Sequence, residues 1–318
     1  MSRKKTSKAE EKSIFFVKKV ALLSFLAVLS VSGTFYLIFK KSSGFKTAPV
    51  LDLPAPVDYP EDLHQIPVPE LTSKSIVVVD VDSKAILFEK NSGVATSPAS
   101  ITKIMSALVV LENFKLDQVL TVPDLGLVEG QKIKLIPGEK ITTEGLLYAL
   151  LVASANDAAQ VFAKNFPLGQ AGFVWAMNQK AKEIGLQKTN FTNPVGYDDP
   201  NHFSTSLDLA RLAVFAMENP VIRRIVSTEK ITIFNLEKTR SYPLSNINAL
   251  IGKTPGVKGL KTGWTQQAGE CLVTYLDYQG KRIVLVILGS QDRFGETEKL
   301  IDWIFKNFAW GLPKNGFD

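Results

Sequence analysis

The 318-residue chain is poor in the two residue types that most often build disulfide frameworks and zinc sites. It contains one cysteine, Cys271, and two histidines, His64 and His202. A single cysteine cannot close a disulfide within the chain, and these three residues do not have the spacing of a zinc centre. The sequence therefore excludes a disulfide-stapled scaffold and a Cys/His metalloenzyme, and we expect neither a metal nor another cofactor.

The chain also lacks an extended basic region of the kind that binds nucleic acid. Its formal net charge of +6 comes from 37 Lys+Arg against 31 Asp+Glu. Nine of the basic residues and only two of the acidic ones lie within residues 1–41, so the remainder is close to neutral. We therefore expect no nucleic-acid partner, because such a partner requires basic residues on the folded body of the protein.

One long uncharged segment, residues 20–39, separates the basic N-terminal residues from Lys40 and Lys41. Twenty helical residues span about 30 Å, so the segment predicts a transmembrane helix. A cleaved signal peptide is the alternative, with Ser30 and Ser32 near a possible cleavage site. The flank with the larger basic excess stays cytoplasmic, and here that flank is the N-terminal one. We therefore expect residues 1–19 to be a cytoplasmic tail and the part after the span of this single-pass protein to lie outside the membrane.

Residues 40–74 contain six prolines and few large apolar residues in periodic order. This composition predicts a semi-extended linker between membrane and folded domain, and a proline-rich ligand for a partner domain is the alternative. We place the folded domain at residues 75–312 and a short tail at 313–318. The chain ends soon after its last predicted helix.

The folded domain begins and ends with apolar, β-branched runs separated by turn residues, a pattern typical of β-hairpins. The predicted strands are residues 75–81 and 85–90, then 270–276 and 282–288. Helical periodicity predicts helices at residues 101–111, 146–153, 156–164, 173–184, 207–217 and 296–308. Hairpins around a helical middle predict an α/β fold in which helices pack on one antiparallel sheet.

Ser100 and Lys103 are the first candidate for chemistry. Residues three apart share a helix face, so the lysine amine can reach the serine hydroxyl. Apolar neighbours such as Ile104 would lower the pKa of Lys103 by desolvation, which would make it a base for a serine nucleophile. The Ser-x-x-Lys pattern recurs at three other places, and a helix N-cap followed by a solvated lysine is the alternative.

Two further motifs follow along the chain. Ser154-Ala155-Asn156 lies at the junction of two predicted helices, where capping polar residues are the ordinary explanation. Lys261-Thr262-Gly263 precedes the C-terminal hairpin, and on an edge strand it could bind a carboxylate while the glycine lets a ligand backbone approach. A turn with a surface lysine is the alternative for this motif.

In chain order, Ser-x-x-Lys, Ser-x-Asn and Lys-Thr-Gly are the signature set of penicillin-recognising serine enzymes. The stretch from Phe173 to Ala181 also resembles the low-molecular-weight D-alanyl-D-alanine carboxypeptidases, as do Leu186, Thr189, Phe191 and the motif Asn193-Pro194-x-Gly196. The resemblance covers roughly residues 75–310. It implies a β-lactamase/transpeptidase-like fold, with a five-stranded antiparallel sheet flanked by helices and the active site between the sheet edge and the helices.

The resemblance also implies a role for each motif residue. Ser100 would be the nucleophile, Lys103 its general base, and Ser154 the donor of a proton to the leaving D-alanine. The implied substrate-binding residues are Asn156, Lys261, Thr262, Gly263 and Arg293. The backbone N–H groups of Ser100 and Trp264 would form the oxyanion hole. Ala155 stands where many relatives have glycine.

The implied function is a serine D-Ala-D-Ala carboxypeptidase of the bacterial cell membrane, with its catalytic domain on the extracytoplasmic side. It would trim the terminal D-alanine from peptidoglycan stem pentapeptides through an acyl-enzyme, and β-lactams would be covalent inhibitors. A DD-endopeptidase that cuts cross-links uses the same residues, and an inert penicillin-binding scaffold is a third hypothesis. A β-lactamase is disfavoured because no Glu-x-x-Leu-Asn stretch lies between the second and third motifs. We expect the N-terminal span to replace the C-terminal anchor of many family members.

Overall fold

The computed structural model describes residues 58–311, together with Lys18, Lys19 and Ser24. Apart from Ser24, the predicted transmembrane helix at 20–39 lies outside the described residues, as do nearly all of the predicted cytoplasmic tail, residues 40–57 and the tail at 313–318. Within the described ranges, no helix has both the length and the apolar character needed to cross a bilayer.

Eleven strands run through residues 58–311. In chain order they are β1 Tyr59–Asp62, β2 Ser75–Asp80, β3 Ile86–Lys90, β4 Val119–Thr121, β5 Lys140–Thr142, β6 Lys230–Phe234, β7 Ser241–Ser245, β8 Val257–Thr265, β9 Gly269–Tyr278, β10 Lys281–Ser290 and β11 Phe308–Gly311. Five of them form an antiparallel sheet in the order β3-β2-β10-β9-β8. Both predicted hairpins and the single large sheet are confirmed.

Seven α-helices lie in the same range, and a 3-10 turn at Ala99–Thr102 leads into the first. They are α1 Lys103–Asn113, α2 Thr143–Leu151, α3 Asn156–Asn165, α4 Gly169–Glu183, α5 Ser206–Glu218, α6 Pro220–Val226 and α7 Arg293–Asn307. All six predicted helices are present. The short helix α6 was missed, although Asn219 accepts hydrogen bonds from the N–H groups of Val221 and Ile222 and Pro220 follows it, a typical helix start.

The sheet is covered on both faces, which explains why its central strands are apolar without alternation. Successive residues of a strand point to opposite faces, and the buried residues divide accordingly. Val284 and Val286 of β10 join the core formed with α1 to α6, whereas Leu285 and Ile287 join the core formed with α7. The helix α1 is buried on nearly all sides, so Lys103 at its first position enters an apolar interior.

The predicted domain boundary at Ser75 is wrong, because the preceding residues are part of the fold. We call residues 58–74 the strap. Its strand β1 pairs in antiparallel fashion with β11, and the backbone N–H of Ile66 donates to Asn307 Oδ1 at 2.7 Å. Trp303 Nε1 donates to the Ile66 carbonyl at 2.8 Å. The prolines exclude a helix here, but an edge strand and an extended segment tolerate them because neither needs every N–H in a ladder.

Candidate active site

The three motifs meet at one cleft of about 580 Å³ beside the edge strand β8. The predicted site residues on its wall are Ser100, Ser154, Asn156, Thr262, Gly263, Trp264 and Arg293. Lys103 and Lys261 are buried, and each contacts one of the two serines. The structure thus brings together every residue that the sequence singled out, and their chemical roles stay predictions.

Lys103 lies at the base of the cleft and is 0% exposed. Its Nζ is 2.7 Å from Ser100 Oγ and 2.8 Å from the Val195 carbonyl oxygen. Burial lowers the pKa of Lys103 well below its ordinary value, and the charge of Lys261 lowers it further. A neutral amine has one lone pair and two N–H groups. One N–H bonded to the Val195 carbonyl leaves the lone pair available to the Ser100 hydroxyl proton.

The second serine forms a matching pair with the second lysine. Ser154 follows α2 with a left-handed backbone, φ 56°, which turns its side chain toward β8. Lys261 Nζ donates to Ser154 Oγ at 2.8 Å and to the Thr262 carbonyl at 3.0 Å. Burial, followed by the charge of Arg293, lowers the pKa of Lys261 to about 7. Lys261 can therefore both carry a positive charge and release a proton near neutral pH.

Asn156 occupies the first position of α3 and is 6% exposed. Its Nδ2 donates to the Glu129 carbonyl at 2.7 Å. Its Oδ1 is buried and has no hydrogen-bond partner within the described part of the chain. A buried acceptor without a partner is costly, and this one lines the cleft, where the amide N–H of a peptide ligand would satisfy it.

The third motif brings the edge of the sheet to the nucleophile. A Cβ added at Gly263 would lie 3.0 Å from Ala99 Cβ and 3.1 Å from the Ser100 backbone nitrogen. Glycine therefore permits this close approach of β8. Trp264 follows with a largely exposed side chain, and Arg293 Nη1 donates to the Gly263 carbonyl at 2.8 Å. The guanidinium of Arg293 thus reaches β8 from the start of α7.

Sequence reasoning gave no role to the turn that supplies the second contact of Lys103. Asn193 Oδ1 accepts hydrogen bonds from the backbone N–H groups of Val195, Gly196 and Tyr197, at 3.2, 2.8 and 3.0 Å. These bonds hold the turn in which the Val195 carbonyl faces Lys103. The motif Asn193-Pro194-x-Gly196 was visible in the sequence, but its turn chemistry was not followed to this consequence.

A second wall of the cleft was also missed. Residues 129–131 and Tyr197 line it, and the Tyr197 hydroxyl donates to the Glu129 carbonyl at 3.1 Å. The same carbonyl accepts from Asn156. These contacts are made by backbone atoms, so the side-chain pattern of residues 129–131 gave no signal for them.

The repeated Ser-x-x-Lys pattern offers an internal comparison. Ser227 and Lys230 are both exposed, and Ser227 Oγ donates to the Arg223 carbonyl at 2.9 Å. This serine ends α6 and has no buried lysine beside it. Burial of the lysine therefore distinguishes Ser100 from Ser227 where the spacing alone does not.

We expect Gly196→Ala to lower the free energy of unfolding by roughly 3–5 kcal/mol. Gly196 has φ +91°, and a Cβ there would lie 1.8 Å from the Ala99 carbonyl oxygen, so both strain and a backbone clash arise. Gly138 has φ +87° and no atom within 4 Å of an added Cβ. Gly138→Ala should therefore cost only about 1–2 kcal/mol. Equal losses for the two variants in urea titrations would contradict the close packing of Gly196 on the Ser100 turn.

The fold and the site together have the arrangement of a serine acyl-transfer enzyme, with a buried lysine amine within hydrogen-bond distance of the serine hydroxyl. A family model described as D-alanyl-D-alanine carboxypeptidase matches residues 63–292. The chain belongs to this family.

Individual relatives agree with this assignment. D-alanyl-D-alanine carboxypeptidase DacF of Bacillus subtilis is 34% identical over 246 residues, which cover 74% of this chain and 63% of the relative. A D-alanyl-D-alanine endopeptidase of Pseudomonas aeruginosa is 33% identical over 251 residues, covering 77% and 81%. The crystal structure of the Streptomyces K15 DD-transpeptidase superposes with a TM-score of 0.72 at 28% identity, covering 76% of this chain and 100% of that one. The chain thus spans less than two thirds of the Bacillus relative.

Proposed function

We propose that this protein is a serine D-Ala-D-Ala carboxypeptidase that removes the terminal D-alanine from peptidoglycan stem pentapeptides. The observation that carries the proposal is the fully buried Lys103 with its Nζ 2.7 Å from Ser100 Oγ. Burial lowers the pKa of this amine well below its ordinary value and so favours the neutral form, which can take the hydroxyl proton. Membership of the family supports the choice of substrate.

In the first half-reaction, Ser100 Oγ attacks the carbonyl carbon of the penultimate D-alanine while its proton passes to Lys103 Nζ. The backbone N–H groups of Ser100 and Trp264 stabilise the negative charge on the carbonyl oxygen, and one such donor is worth about 3 kcal/mol. Ser154 Oγ then donates a proton to the departing nitrogen and receives one from Lys261, to which it is bonded at 2.8 Å. The C–N bond breaks, free D-alanine leaves, and an ester to Ser100 remains.

In the second half-reaction, water attacks this ester, and its proton passes through Ser154 to Lys261, which gave one up in the first half. Lys103 returns the proton that it took to the leaving Ser100 Oγ, which restores the free enzyme and releases the shortened peptide. Lys103 is thus the base of acylation and the acid of deacylation, because water replaces the departing amine in the reverse of the first step.

Preference for a chain end follows from the charge beside β8. Lys261 and Arg293 place positive charge next to Thr262 and Gly263, and a terminal carboxylate is the group that such a site binds best. A peptide that continues past the scissile bond as a neutral amide would leave this charge unpaired. The site therefore favours removal of the last residue.

A DD-endopeptidase is the second candidate, favoured by the Pseudomonas relative of that name, of which the chain covers 81%. The two activities are separated by incubating the protein with a stem pentapeptide and with a cross-linked peptide dimer and following both by mass spectrometry. Release of D-alanine from the pentapeptide with slow cleavage of the dimer is expected. Faster cleavage of the dimer would make the endopeptidase the main activity, and no turnover of either would favour an inert penicillin-binding scaffold.

We further propose that the enzyme is a single-pass protein of the bacterial cell membrane with its catalytic domain outside. Its support is the uncharged segment at residues 20–39 and the excess of basic residues before it. Protease added to intact spheroplasts should remove the catalytic domain and leave a membrane-bound N-terminal fragment. Protection of the domain, or its recovery from the medium without the segment, would contradict the anchor.

A further inference from the structure

One buried carboxylate joins the strap to α7. Glu296, in the first turn of α7, is 3% exposed. Its Oε1 accepts from the Thr72 backbone N–H at 2.6 Å and from the Thr72 hydroxyl, and its Oε2 accepts from the Ser73 hydroxyl. Burial raises the pKa of Glu296, but the hydrogen bonds from Ser73 and Thr72 outweigh this and lower it below its ordinary value. Glu296 therefore binds the strap as a carboxylate.

Thr72 also holds the turn that precedes α7. The Gln291 backbone N–H donates to Thr72 Oγ1 at 2.9 Å, while the same hydroxyl donates to Glu296. One strap side chain thus connects both ends of the six-residue segment 291–296. Arg293 lies within that segment, and its own backbone N–H donates to Glu270 Oε2 of β9 at 3.0 Å, so the strap and β9 together hold its backbone.

The side chain of Arg293 has few other supports. Its Nη1 donates to the Gly263 carbonyl at 2.8 Å, and its guanidinium carbon lies 4.9 Å from the centroid of the Phe294 ring. Its Nε is buried with no hydrogen-bond partner among the described residues. The guanidinium is therefore placed mainly by where the turn puts its Cα, and a small shift of the turn would move it relative to β8.

We propose that Thr72, Ser73 and Glu296 are positioning residues that act through Arg293 and thereby set the affinity of the cleft for the terminal carboxylate of the substrate. This inference rests on the proposed function, since it is in that function that Arg293 binds the terminal carboxylate of the substrate. It assigns the strap, which the sequence predicted to be linker, a part in substrate recognition.

The test compares two peptides that differ only at the C-terminus, one ending in D-Ala-D-Ala with a free carboxylate and one ending in the carboxamide. In the full-length protein, Glu296→Gln keeps the shape of the side chain but removes its charge and one acceptor oxygen. We expect kcat/KM for the free acid to fall about tenfold, mostly through KM, and kcat/KM for the carboxamide to stay within about twofold of the wild type. Equal losses on both peptides, or none on either, would overturn the proposal.

Four further variants make this comparison specific. Glu298→Gln on the same helix is the matched control, because Glu298 is exposed and accepts from Thr254 Oγ1 at 2.8 Å rather than from the strap. It should behave as wild type on both peptides. Arg293→Ala should lose the discrimination between the free-acid and the carboxamide peptide. Adding Glu296→Gln to that variant should lower kcat/KM for the free acid little further, since the effects of residues that act as one unit are non-additive. Thr72→Val gives a milder second test should Glu296→Gln fold poorly.

A parallel readout separates this inference from the proposed function. Acylation by penicillin requires Ser100 but no peptide turnover, and penicillin methyl ester lacks the free carboxylate. Glu296→Gln should slow acylation by penicillin about tenfold and leave acylation by the methyl ester unchanged. A wild-type protein that is acylated but cleaves neither peptide would contradict the proposed function, and the two penicillin rates would then decide the positioning role by themselves.

Discussion

Ser100→Ala should abolish D-alanine release and all covalent labelling by penicillin, with a loss in acylation rate of at least about 10⁴-fold. The reason is that the Ser100 hydroxyl lies 2.7 Å from the buried amine of Lys103, and burial lowers the pKa of that amine well below its ordinary value. A methyl group has no oxygen to form the ester. Binding of the drug without a covalent bond can persist, because the wall of the cleft is unchanged.

The measurement is the intact mass of the protein after incubation with penicillin, followed by peptide mapping of the adduct. Ser227→Ala is the matched control, since Ser227 belongs to the same Ser-x-x-Lys pattern but lies exposed at the end of α6. This variant should be labelled at the wild-type rate on the peptide that contains Ser100. An adduct on another serine, or labelling of Ser100→Ala, would refute the nucleophile assignment.

The side-chain part of the site could be predicted from the sequence because each motif is local. Ser100 and Lys103 share one helical turn, and Ser154 with Asn156 spans one helix junction, so short-range geometry already fixes much of each pair. The backbone part could not be predicted in the same way. The Val195 and Glu129 carbonyls contact Lys103 and Asn156 across 92 and 27 residues of sequence, and a carbonyl has no residue type that would mark it.

The elements of the fold also fall into those that the sequence predicts and those that it does not. The hairpins β2–β3 and β9–β10 and helices such as α1 were predictable because hydrophobic periodicity reports their burial. The strap was taken for linker because its prolines interrupt any period, and because β1 is stabilised by β11 almost 250 residues later. The hairpin β6–β7 was overlooked for a related reason, since Pro243 within β7 argues against a strand unless that strand lies at an edge.

Lys103→Arg should slow acylation by at least about 10³-fold while leaving the protein folded. A guanidinium keeps its proton at any pH at which the protein is stable, so it cannot accept the proton of Ser100. Lys180→Arg is the matched control. Lys180 is also buried, but its ion pairs with Glu112 and Glu183 outweigh the effect of burial and raise its pKa. These ion pairs need only a positive charge, which arginine also carries. That variant should acylate at close to the wild-type rate.

The pH dependence of acylation tests the same assignment without a mutation. Because burial and then Lys261 lower the pKa of Lys103, the neutral base forms as pH rises through a value well below the ~10.4 of an ordinary lysine. Acylation should therefore increase with pH on the acid side. Lys261 has a pKa of about 7, and above it the site loses a positive charge beside the carboxylate and a proton for Ser154. The rate should therefore fall again on the alkaline side and give a bell-shaped profile.

Stopped-flow measurement of the second-order acylation rate with a chromogenic β-lactam, from about pH 5 to about pH 10, gives this profile directly. Lys103→Arg should lose the inflection of the rising limb and the maximum, because its only remaining base is hydroxide or water. The residual rate of that variant should then follow hydroxide concentration. A wild-type rate that climbs without a maximum toward the ordinary pKa of lysine would show that Lys103 is charged at neutral pH. Some other group would then have to take the proton of Ser100, and Lys103 would only hold the serine in place.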